Sequence, residues 1–132
     1  MNAPDFEARP APRRTHNQTL GARGETLAAE YLAGRGFVLL ERNWRSRREG
    51  ELDIVARDGA AIVAVEVKAR SGTGTGHPLE AITWRKAHRL RGLLLSWMRA
   101  HGEQAEQLRV DAIGIVLRAG AAPEITHLRG IA

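Results

Sequence analysis

The sequence predicts an α/β fold: a mixed central sheet with flanking helices, in the order helix, three strands, helix, strand and a weaker last strand. Three observations carry this. Helical spacing of apolar residues gives way to Val/Ile-rich runs and then returns. An Asp58-Gly59 turn signal sits between two of those runs. A single long helical pattern separates the third run from the fourth, as a crossover between parallel strands requires.

The first helix is expected over Leu20 to Arg35, where Leu20, Leu27, Ala28, Tyr31 and Leu32 share a face and Gly34 and Gly36 supply the stop. Strands follow at Phe37 to Trp44, Glu51 to Arg57 and Ala60 to Arg70. A glycine-rich loop, Ser71 to His77, leads through Pro78 into the second helix. Thr83 is its expected cap, Ala87, Leu90, Leu94, Trp97 and Met98 its apolar stripe, and Gly102 its end. Leu108 to Leu117 is a strand entering the core, and Glu124 to Ile131 a weaker final one. Residues 1–18, with Pro4, Pro10 and Pro12 and only Phe6 as a large apolar residue, are expected to be a disordered tail. One domain is expected over residues 19–132.

A chain of 132 residues with 43% hydrophobic content can bury a core without metal or disulfide staples. It has no cysteine, which removes thiol chemistry and Cys-zinc sites and fits an intracellular, cytoplasmic protein. No apolar run approaches a membrane span, and no signal peptide is read at the N-terminus. The net charge of +5 favours a polyanion, nucleic acid first. Of the 20 basic residues, all but Lys68 and Lys86 are arginine.

The hairpin predicts a site. With Asp58-Gly59 as a two-residue turn, Arg57 pairs with Ala60 and Asp53 with Ala64. Asp53 and Glu66 are then diagonal neighbours on one face, with Cβ atoms roughly 7 Å apart. Two carboxylates so placed can hold a hard cation such as Mg²⁺, with a backbone carbonyl and waters completing the shell. Lys68 shares that face and can orient water or offset charge on a scissile phosphate. A compact ammonium suits such a role better than guanidinium. An exposed ion-pair ladder is the alternative for these three residues. Glu25 lies at the shoulder of the first helix's apolar stripe, either as a further ligand or as a first-turn glutamate favoured by the helix dipole.

Gly21-x-x-Gly24-Glu25, Ala28-Ala29-x-Tyr31-Leu32, Glu41-Arg42-Asn43-Trp44-Arg45, Gly50-Glu51-Leu52-Asp53-Ile54-Val55-Ala56 and Val65-Glu66-Val67-Lys68-Ala69-Arg70 together resemble the bacterial YraN family. That family is similar to the PD-(D/E)xK nucleases, with a restriction-endonuclease-like α-β-β-β-α-β core and a likeness to Holliday junction resolvases. The resemblance spans about Leu20 to Leu117. It implies that Asp53 is the metal-binding acid, that Glu66 and Lys68 form the E-x-K pair, and that Glu25 matches the helix glutamate of resolvase-like members, so that Glu25, Asp53 and Glu66 hold the metal. Lys86 matches a family lysine near the start of the second helix, and Arg109-Val110-Asp111 an R-F-D segment. The implied activity is Mg²⁺- or Mn²⁺-dependent cleavage of nucleic acid, DNA before RNA, on branched or structured forms, with a two-fold homodimer by analogy. The alternative is a binding module that keeps the fold and does not cleave.

Arg45, Arg70, Arg85, Lys86 and Arg89 are the candidate phosphate contacts, set against solvated surface. Trp44 could stack on an unpaired base, although a Trp in an alternating strand is more often core. Gly72, Gly74 and Gly76 lack the spacing of a dinucleotide loop and suit a flap or a plain connection. Asp111 could orient Lys86 or another base, or pair with Arg109. The five His show no metal-ligand spacing and read as surface residues.

Overall fold

A computed structural model describes residues 16–132 apart from 73 and 75, with side chains from residue 19 onward. The expected tail over residues 1–18 lies outside the described residues, except that the first helix, α1 (His16–Gly34), begins at His16. Strands β1 (Val38–Ser46), β2 (Gly50–Asp58) and β3 (Ala61–Ser71) follow. A 3₁₀ turn at Pro78–Ala81 precedes α2 (Trp84–His101), then β4 (Gln107–Leu117) and β5 (Glu124–Leu128). The five strands form one sheet in chain order, with β3 and β4 parallel across the α2 crossover and the other pairs antiparallel. This is the α-β-β-β-α-β order expected from the sequence.

Period-two alternation builds two cores on opposite faces of the sheet. Val63 and Val65 of β3 join Ala28 and Leu32 of α1 in one cluster. Ile62 and Ala64 join Leu90, Leu93, Leu94 and Trp97 of α2 in the other. The layers are therefore helix, sheet, helix. Gly24 lets α1 approach closely: a Cβ there would lie 2.8 Å from the Cβ of Ala69. Helix α2 is bounded as the sequence predicts. The Thr83 hydroxyl accepts from the Lys86 N–H at 3.1 Å, and Gly102 ends the helix at φ +63°.

The β2–β3 register differs from expectation. Asp58 faces Ala61 and Ile54 faces Val65, so the loop is Gly59-Ala60 rather than Asp58-Gly59. Gly59 takes the positive φ of +58° at the first loop position, while Asp58 stays in the strand and accepts from Arg109 at 2.8 Å. Every partner moves by two residues, which preserves side-chain parity. The same count sets Asp53 directly across from Glu66 instead of diagonal to it.

Three further expectations are corrected or resolved. Asp111 does not reach Lys86: it is fully buried between Arg109 and His127, each at 2.8 Å, and also accepts from the Gly130 N–H. His127 is thus not a surface residue; its side chain is 7% exposed and its other ring nitrogen faces the Tyr31 hydroxyl. Trp44 packs half-buried against the α2 core, its ring near that of His101. Among the described residues, no helix is long and apolar enough to cross a membrane.

Candidate active site

The β2–β3 ladder runs only as far as Ile54 and Val65. Beyond that pair the Asp53 carboxylate takes the place of a backbone acceptor, receiving the Val67 N–H at 2.9 Å. One step across, Glu66 stands 7% exposed. The hollow where the strands part, about 350 Å³, is walled by both helices: Gly21 and Glu25 from α1, and Lys86, Arg89 and Leu90 from α2. Lys68 completes it from β3.

Electrostatics within the cleft are lopsided. Glu66 Oε2 receives both ammonium groups, Lys86 Nζ at 2.9 Å and Lys68 Nζ at 3.6 Å. Asp53 has no basic partner at that range among the described residues. Burial first, and then the facing Glu66 carboxylate, push its carboxyl up to about 8 against the opposing pull of the Val67 N–H. Lys68 is lowered, by burial and by the neighbouring Lys86 ammonium. Burial also works against the charged form of Lys86, but its hydrogen bond to Glu66 prevails and raises it. Glu25 is raised chiefly by burial, with the Asn43 amide and Arg42 acting against the shift.

An aspartate whose carboxyl is pushed up by burial and by the glutamate facing it across a polar cleft suits a hard divalent cation bound by one or two carboxylates and waters. Among the described residues, no three His, Asp or Glu side chains are gathered as a ready cage. Glu25 therefore sits on the wall of the cleft, beside Asn43, rather than closed up with Asp53 and Glu66.

Residues 24–115 match the Uncharacterised protein family UPF0102, and this span contains Glu25, Asp53, Glu66, Lys68, Lys86 and Arg89. The chain belongs to the UPF0102 family. It is the family of the YraN resemblance. A UPF0102 protein of Leifsonia xyli subsp. xyli is 55% identical over 112 residues, covering 85% of this chain and 94% of that protein. A UPF0102 protein of Streptomyces coelicolor is 48% identical over 114 residues, covering 86% and 88%. Among solved structures, this UPF0102 chain is similar to Archaeoglobus fulgidus Hjc, a Holliday junction resolvase, with a TM-score of 0.41 and 20% identity over 84% of this chain and 77% of that one. A likeness at that level carries no information on activity.

Of the candidate phosphate contacts, Arg89 lines the cleft and Arg85 is exposed on the same helix. Arg45 pairs with Glu51 at 3.3 Å, and Glu51 itself lines the cleft. Arg70 bonds to the carbonyl of Ala69. Lys86, expected on a phosphate-binding face, instead turns into the cleft onto Glu66. Its rarity was the available clue, since the chain's two lysines meet at one carboxylate oxygen.

Proposed function

We propose that this UPF0102 protein is a Mg²⁺- or Mn²⁺-dependent phosphodiesterase acting on nucleic acid in the cytoplasm. The observation that carries the reading is the cleft itself: opposed carboxylates at a strand divergence, with two lysines aimed into it. Asp53 and Glu66 would hold the cation, with Glu25 on the cleft wall as a further ligand. When bound, the cation neutralises the scissile phosphate and makes attacking water more acidic. Lys68, whose ammonium is more readily deprotonated than usual, orients that water or donates to a phosphate oxygen. Lys86 holds Glu66 in place through its 2.9 Å contact. Arg45, Arg70, Arg85 and Arg89 would contact flanking phosphates, fixing register rather than sequence. DNA over RNA, branched or structured forms and a homodimer rest on the resolvase resemblance of the motifs.

The test is incubation of purified protein and Mn²⁺ with branched, single-stranded and duplex DNA and RNA, alongside Asp53→Ala and Lys68→Ala. Cleavage lost in both variants is the expected result. Cleavage that survives both overturns the site, and binding without turnover on any substrate assigns the protein to the non-cleaving class.

A further inference from the structure

Trp84 opens α2 and is 75% exposed, the most exposed large apolar side chain among the described residues. One turn on, the His88 ring lies 4.2 Å from it, tilted by 54°. A solvated indole braced by a second ring costs apolar exposure that a helix start does not require. The indole also rims an apolar hollow of about 290 Å³, floored by Ala87 and Ala112 and walled by Leu79, Ile82 and Leu128. That volume is at the small end of ligand pockets, with room for one flat ring system.

The charge around it identifies the occupant. Trp84 and Lys86 are two residues apart, about 200° around the helix, so they occupy opposite flanks. Lys86 and Arg89 face the carboxylate cleft. Arg85 lies between the flanks on the outer surface. Neither Arg85 nor Arg89 has an ion-pair or hydrogen-bond partner among the described residues. A polyanionic strand crossing the first turn of α2 would thus meet free guanidinium groups next to the cleft and an aromatic face on the far side. Cations that track a backbone beside rings that stack on bases are what single-strand binding uses.

We propose that Trp84 and His88 form a stacking platform for one unpaired nucleobase, so that the nucleic acid engaged at the cleft is single-stranded or frayed next to the scissile phosphate. This rests on the nucleic-acid reading above and specifies the form of substrate. It does not depend on turnover.

The test is fluorescence anisotropy in EDTA, which removes cleavage from the measurement, using labelled oligo(dT) and a blunt duplex of equal length. Wild type, Trp84→Ala, Trp84→Phe and Arg85→Ala are compared over a range of salt, with melting curves confirming that each variant is folded. Trp84→Ala should weaken oligo(dT) binding roughly tenfold to a hundredfold, leave duplex binding unchanged, and be largely rescued by phenylalanine. The salt slope should be unaltered by Trp84→Ala and reduced by Arg85→Ala, because only the latter removes a phosphate contact. Trp84→Ala with unchanged oligo(dT) affinity, or with equal losses on both ligands, overturns the platform and leaves the cleft assignment standing. Wild-type protein that binds neither ligand overturns both. A dimer that Trp84→Ala dissociates while oligo(dT) affinity holds would assign the face to a second copy of the chain and overturn the proposal.

Discussion

Asp53 concentrates the chemistry at the scale of a single residue. Its carboxyl is pushed up to about 8 from an ordinary value of 3.8, chiefly by burial and then by Glu66. Between those values the folded chain keeps a proton that the unfolded chain has released, so the folded state is increasingly disfavoured as pH rises through the window. Asp53→Asn should therefore melt close to wild type near pH 4 and above it by pH 9, in thermal scans with EDTA. Mn²⁺ acts in the opposite direction. It should raise the wild-type melting temperature, more strongly as pH climbs towards 8 and Asp53 gives up its proton, and should do so far less in Asp53→Asn. Asp111 is the contrasting acid. Burial alone would raise it, but Arg109, the Gly130 N–H and His127 hold it below the usual aspartate range. Asp111→Ala leaves buried His127 and the Gly130 N–H without their acceptor, while Arg109 keeps Asp58, and should cost on the order of 1–3 kcal/mol by denaturant titration, with the cleft untouched.

At the scale of elements, helix placement decides whether the cleft exists. Gly24→Ala forces a methyl against Ala69 and should cost about 1–3 kcal/mol while moving Glu25 away from the strands. Ala69→Gly removes the opposing methyl and should recover much of that loss, a coupling that a double-mutant cycle measures directly. Thr83→Ala should cost about 1 kcal/mol, since it frees one amide at the start of α2. The elements themselves were legible: caps at Thr83 and Gly102, runs of β-branched residues and the crossover helix all act locally. The register was not, because Asp58-Gly59 and Gly59-Ala60 are both credible two-residue loops. The choice between them depends on Arg109, some fifty residues further along, holding Asp58 in the strand. Parity survives a shift of two, which is why Asp53 and Glu66 could be paired from sequence while their separation could not. The direction of Lys86 was equally hidden, since helical periodicity says that it leaves the stripe but not that Glu66 waits on that side. Trp84 carries no such signal in the sequence, where nothing tells an exposed ring at a helix start from a packed one; its exposure is seen only in the fold.

At the scale of the whole molecule, the excess of basic residues is spread over a surface whose acids are largely committed. Glu51, Asp58, Glu103 and Glu124 each pair with an arginine. Affinity for nucleic acid should accordingly fall steeply and log-linearly with salt, and each free arginine removed should lower the slope by about one. The three-layer architecture matters here as well. Each helix anchors a separate core, and the two cores touch the cleft from opposite sides of the sheet.

The width of the cleft is therefore a difference between two independent packings, like the gap of a calliper whose jaws are adjusted by separate screws. Leu32 and Leu94 lie in different cores, and neither lines the cleft. Either Leu32→Ala or Leu94→Ala should loosen its own jaw alone, so that metal affinity and single-strand affinity can be tuned by substitutions that touch neither ligand.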